Sequence, residues 1–159
     1  MAVLRVGHLG ICCRDLARSL RFYRDLLGFR ALTEVHVADA QSAKLLRLPG
    51  VDQRTVFLER DGVRLALYAL ASPETQGDGE PRPMNRTGFA ALMLRVDDLE
   101  ATLTELRRAG VRVLDDTRVD HPGFRSKLVF VCDPDGVLVE LVEIPGDPYR
   151  PFGTPVREG

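Results

Sequence analysis

The chain has 159 residues, 45% of them hydrophobic and 28% charged, with a formal net charge of −1. That balance suits a single globular domain with a sizeable core, and it excludes the basic footprint of a nucleic-acid binder or a protein held on acidic membranes. There is no bilayer-length apolar run and no signal-peptide layout, and Cys12, Cys13 and Cys132 make neither an even disulfide set nor a C-x-x-C pair, so a reducing, cytoplasmic setting is expected.

In chain order, the first predicted element is an apolar strand from His8 that ends at Asp15-Leu16. A helix follows, read from the spacing of Leu16, Leu20, Tyr23 and Leu27. Asp15 is its expected N-cap and Gly28 its stop, because glycine accepts the left-handed closing conformation. Strands are predicted near Arg30 to Val37 and Thr55 to Arg60. Between them a short helix around Ser42 to Leu46 is closed by Pro49-Gly50. Asp61-Gly62 is a hairpin turn signal leading into Val63-Arg-Leu-Ala-Leu-Tyr-Ala69. The glycine- and proline-bearing stretch 72–87 reads as a linker.

The same order then repeats. A strand through Ala91 ends at Asp97-Asp98-Leu99, and Leu99, Leu103 and Leu106 set a second helical period before Gly110. Strands follow near Arg112 to Val119 and Ser126 to Cys132. Asp135-Gly136 then leads into Val137-Leu-Val-Glu-Leu-Val-Glu143, matching the segment after Asp61-Gly62. Each half reads β-α-β-β-β. The domain layout is one domain over 1–145, with modules at 1–71 and 88–145 and an irregular tail at 146–159. Tyr149 and Phe152 in that tail are candidates to pack on the body or on a neighbouring subunit.

His8-Leu-Gly-Ile-Cys-Cys-Arg-Asp-Leu16, Ser19-Leu-Arg-Phe-Tyr23 and Leu27-Gly-Phe29 resemble the first half of vicinal oxygen chelate proteins. Arg95-Val-Asp-Asp-Leu99, Asp133-Pro-Asp-Gly136 and Val139-Glu-Leu141 resemble the second half. That superfamily includes glyoxalases, methylmalonyl-CoA epimerases, extradiol dioxygenases, fosfomycin resistance enzymes and bleomycin-binding proteins. The resemblance implies an α+β fold in which two βαβββ modules form a curved eight-stranded cup, the glyoxalase-like fold. It also implies metal ligands on the first and last strands of each module, at positions that here hold His8, Ala66, Ala91 and Glu140. The internal repeat gives the same pairing independently, His8 with Ala91 and Ala66 with Glu140.

Alanine has no donor atom, and a catalytic divalent ion usually takes at least three protein ligands. No cofactor is therefore expected, and His8 with Glu140 make at most a weak metal site. The two are instead expected to share a concavity as catalytic residues, Glu140 as general base and His8 as acid or hydrogen-bond donor. Strand parity adds Ala66, Tyr68, Phe89, Ala91, Met93, Arg95 and Cys12 as candidate pocket residues. Arg64 belongs at the rim. Cys12 reads more readily as a small buried hydrophobe than as a nucleophile, and His36 and His121 as solvated histidines. His121, in the loop Asp120-His-Pro-Gly-Phe-Arg125, is one way to replace a lost metal ligand.

Three functions stay open. The first is a small-molecule pocket protein working without tight metal on an oxygenated, mostly apolar compound, by isomerase-, epimerase- or cyclase-like acid–base chemistry. The others are a drug-sequestering binding protein and a metal-dependent lyase, epimerase or dioxygenase with an atypical ligand set. A homodimer is expected, because open sheets leave strand edges to cover.

Overall fold

In the computed structural model, which describes residues 2–149, the chain is α+β and divides after Asp78 into two compact units. The first contains β1 (Leu9–Cys13), α1 (Leu16–Leu20), β2 (Arg30–Val37), α2 (Ala40–Leu46), β3 (Asp52–Arg60) and β4 (Val63–Ser72). The second contains β5 (Leu92–Val96), α3 (Leu99–Arg108), β6 (Arg112–His121), β7 (Ser126–Cys132) and β8 (Leu138–Glu143). Each unit has one four-stranded sheet, ordered β1-β4-β3-β2 in the first and β5-β8-β7-β6 in the second. In both, the first strand runs parallel to the last and the other pairs are antiparallel. Residues 73–91 carry no helix or strand.

The helices start where the capping residues dictate. The Asp15 carboxylate accepts from the Arg18 amide, and the Asp98 carboxylate accepts from the Ala101 amide. In each case the side chain satisfies an amide that the first turn leaves free. The segment after α1 departs from the expected α-helix. Arg21–Leu26 is a π-helical turn, and the Leu27 amide bonds to the Phe22 carbonyl. The wider turn lets Phe22 and Leu27, five residues apart, both be buried together with Tyr23. In the second unit Leu99, Leu103 and Leu106 of α3 are all buried. They form the apolar stripe that a 3.6-residue period produces, and α3 packs against β6 and β8.

Asp61 and Gly62 both have positive φ, 52° and 79°, and join β3 to β4 by the expected two-residue turn. The connection at Asp135-Gly136 is longer than expected. Asp133 organises residues 133–137 by accepting from the amides of Asp135 and Val137. Gly136, at φ 86°, lies so close to the backbone of the preceding segment that a Cβ would meet the Gly79 carbonyl oxygen at 2.6 Å.

β6 runs two residues past its expected end. Its pairing with β7 breaks between Leu114 and Val119. There the Thr117 hydroxyl accepts from the Phe130 amide and donates to the Leu114 carbonyl. That hydroxyl replaces ladder bonds across the bulge, so pairing resumes at Val119–Leu128 and continues to His121–Ser126.

Cys12 corrects the expectation of a buried thiol. It is exposed, whereas Cys13, on the face of β1 shared with Leu9 and Ile11, is buried. Tyr149 is 90% exposed in this chain, and Phe152 lies outside the described residues. No described helix is long and apolar enough to cross a membrane.

Candidate functional site

The second sheet positions Glu140. In register, Met93 of β5 and Phe130 of β7 flank it, and one step along the pleat Arg95, Leu128 and Val119 align with Val142. Side chains in register share a face. That face carries a concavity of about 240 Å³ lined by Thr117, Val119, His121, Leu128, Val129, Phe130 and Glu140. Apart from the Thr117 hydroxyl, Glu140 and His121 bring its only polar side chains. The Glu140 carboxyl is half-buried, and no described side chain hydrogen-bonds or ion-pairs with it. Burial alone pushes its pKa above the ordinary glutamate value, because desolvation penalises the charged form and nothing nearby repays it. Such a carboxyl holds its proton to higher pH than an ordinary glutamate does, which favours a role in proton transfer.

The first sheet positions His8. This residue sits one place before β1, and two residues on, Gly10 lies beside Ala66 of β4, which lies beside Phe57 of β3. The Tyr68 ring lies across Gly10 so closely that a Cβ there would overlap ring carbon Cε2. Glycine thus opens the path by which the Tyr68 hydroxyl reaches His8 Nε2, at 2.8 Å. The His8 ring also meets Phe57 edge-on at 5.1 Å between centroids. Burial raises the Tyr68 phenol above its usual pKa, so it stays protonated and can donate to the imidazole.

These registers place the repeat in three dimensions. Ala66 beside Gly10 and Phe57 holds the place that Glu140 holds beside Met93 and Phe130. His8 and Ala91 each stand two residues before Gly10 and Met93. The donor set does not fit a resident divalent ion. The buried Ala66 methyl offers no donor where the second unit has Glu140, and Ala91 offers none where the first unit has His8. The His8 Nε2 is itself taken by the Tyr68 hydroxyl. Among the described residues no group of three or more His, Cys, Asp or Glu side chains is placed to hold a metal. His121 does line the concavity with Glu140, but they are two donors only.

The remaining candidates separate. Met93 is on the Glu140 face and 40% exposed. Phe89 is 83% exposed in the segment before β5 and does not line the concavity. Arg95 is not available as a ligand-binding fork. Its guanidinium donates to the carbonyls of Ile144, Gly146 and Asp147 and clamps the chain that leaves β8. His36 is exposed and pairs with Asp52 at 2.7 Å. The sequence reading missed Thr117, Val119, Leu128, Val129 and Phe130 as lining residues. Phe130 had a usable signal, since it precedes the Asp135-Gly136 turn by about the interval at which Glu140 follows it.

Residues 5–141 match the family model described as the Glyoxalase/Bleomycin resistance protein/Dioxygenase superfamily. A lactoylglutathione lyase of Haemophilus influenzae is 31% identical over 144 residues, covering 89% of this chain and 88% of that protein. A lactoylglutathione lyase of Schizosaccharomyces pombe is 26% identical over 153 residues, covering 89% of this chain, and the chain spans 48% of that longer protein. Relatives also include a mouse mitochondrial methylmalonyl-CoA epimerase, 25% identical over 86% of this chain and 71% of that protein. In three dimensions a glyoxalase family protein of Bacillus cereus superposes with a TM-score of 0.79 at 19% identity, covering 92% of this chain and 97% of that one. A fosfomycin resistance protein of Listeria monocytogenes shares the fold.

Proposed function

Because the chain belongs to the Glyoxalase/Bleomycin resistance protein/Dioxygenase superfamily, we propose that it takes an oxygenated, mostly apolar small molecule and moves a proton beside a carbonyl without a tightly held metal. The observation that carries this reading is Glu140, a half-buried carboxyl with a raised pKa on the apolar floor of a concavity. As the carboxylate, Glu140 takes a proton from the carbon next to the carbonyl. As the acid, it returns that proton to the same or an adjacent atom. This sequence of steps isomerises, epimerises or cyclises a substrate with no net change in atoms. The apolar walls of Val119, Leu128 and Phe130 hold the substrate body and thin the water around the carboxyl, which strengthens its electrostatic effect. His8, with its ring set by Tyr68, stays a candidate hydrogen-bond donor or acid of the first unit. The names lyase and epimerase among the relatives are compatible with this chemistry.

The test is exchange of α-protons in deuterated water, followed by NMR on a simple ketone, 2-octanone. The wild-type protein is expected to accelerate deuterium entry beside the carbonyl. Glu140→Gln is expected to lower that rate by roughly 100-fold or more, the usual scale of general-base catalysis. Unchanged exchange in Glu140→Gln would sink the proton-transfer reading. A second reading is sequestration without turnover. It is favoured by the fact that the concavity is apolar apart from Thr117, His121 and Glu140. Its signature is ligand binding with no deuterium entry in the wild type.

A further inference from the structure

Resting on the reading of the Glu140 concavity as a ligand site, we propose that His121 and Ser126 form a second, polar recognition end of it, and that the ligand is an elongated molecule with an oxygen acceptor at each end and an apolar middle. The Thr117 bulge extends β6 far enough to bring His121 into register with Ser126. Without that extension His121 would sit in a loop and not on the sheet face. Ser126 is 4% exposed, and its hydroxyl has no hydrogen-bond partner among the described residues. By alternation along β7 it stands on the face of Leu128 and Phe130, the face that carries Glu140. A buried hydroxyl without a partner is costly unless something satisfies it. His121 lines the concavity directly. Its ring is held rather than loose: it lies over Gly123, where a Cβ would come within 3.4 Å of ring carbon Cε1, and stacks at a tilt on Phe124 with centroids 4.5 Å apart.

The two ends are well separated. Ser126 and Phe130, the latter in register with Glu140, are four residues apart on β7, roughly 13 Å at the rise of an extended strand. On that backbone spacing we place His121 at the other end of the ligand from Glu140. Between the ends lie Val119, Leu128 and Phe130, an apolar floor. The imidazole N–H lines the concavity and the Ser126 hydroxyl is closed beneath the same face, so a ligand that opens it finds two donors for one acceptor group, which suits a carboxylate or a carbonyl. The matching ligand class is a keto or hydroxy compound with a chain of about five methylenes and a terminal carboxylate, a length estimated from the strand rise.

Two probes of equal carbon count isolate this end: 7-oxooctanoate, and 2-octanone, which replaces the carboxylate with a methyl group. Binding is followed by the methyl NMR signals of Val119 and Leu128. Wild-type protein is expected to prefer 7-oxooctanoate by roughly tenfold, the scale of a hydrogen bond to a charged group. His121→Phe keeps the ring stacked on Phe124 and removes the donors, and it is expected to bring the ratio near one by weakening 7-oxooctanoate. Ser126→Ala is expected to lower the ratio part of the way. A preference that survives both substitutions overturns the proposal. If neither probe moves the Val119 and Leu128 methyls, the ligand site itself is wrong and both readings fall. If the preference responds to His121 but no deuterium enters either probe, the recognition end stands and the proton-transfer reading fails.

Discussion

Glu140→Gln is expected to make the protein more stable at neutral pH. The half-buried carboxyl loses water on folding and gains no hydrogen bond or cation among the described residues. Its folded pKa is raised, so the folded state binds a proton more tightly than the unfolded chain does. Stability linked to this group is then fully present below the ordinary glutamate pKa and is lost as pH rises through the raised folded value. An amide of nearly the same shape carries no charge and escapes that loss. After discounting for the solvent that still reaches the group, the gain is about 1 kcal/mol, or roughly 2–4 °C in Tm for a chain of this length. The assay is thermal unfolding of both proteins at pH 7.5 and at pH 3.5. The variant should melt higher at pH 7.5, and the gap should close at pH 3.5, where both side chains are neutral. A variant that melts lower than wild type at pH 7.5 would refute the reasoning, because the carboxylate would then be a stabilising group and not a desolvated functional one.

Three further outcomes follow from the geometry. Gly10→Ala forces the Tyr68 ring off β1 and should break its bond to His8, seen as a shifted His8 ring resonance in ¹⁵N NMR and a stability loss of about 1–3 kcal/mol; an unmoved resonance would mean the ring packing is not what holds the pair. Gly136→Ala places a methyl against the Gly79 carbonyl at a positive φ, and a loss of about 2 kcal/mol or more is expected by denaturant unfolding. Light scattering at micromolar concentration should give a dimer, since β2, at one edge of the first sheet, leaves Leu32 and Val35 partly exposed at 38% and 42%; a monomer would contradict this.

Much of the fold was legible because the repeat is written in residue types with strong local effects. Asp15 and Asp98 cap, Gly28 and Gly110 close, and Asp61-Gly62 turns, each through contacts within a few residues. The pairing of Ala66 with Glu140 was readable for the same reason, since both follow an Asp-Gly turn by a fixed interval. What escaped depends on long-range register. Thr117 lies in an ordinary-looking strand, and only its bond to the Phe130 amide shows that it carries the bulge that moves His121 out of a loop and onto the sheet. Arg95 has the parity of a pocket residue, yet its partners are backbone carbonyls about fifty positions away, and no side-chain pattern announces them. Cys12 and Cys13 are adjacent and chemically alike, so only the pleat decides which is buried.

Metal analysis tests most directly whether this site works on its side chains alone. Protein purified without chelator is assayed for zinc, nickel, iron and manganese, then titrated with each ion, beside an Ala66→Glu, Ala91→His double variant. The expected result is far less than one ion per chain and weak binding in the natural sequence, with tight binding gained in the variant that supplies the missing donors. Near-stoichiometric, tightly held metal in the natural sequence would contradict it.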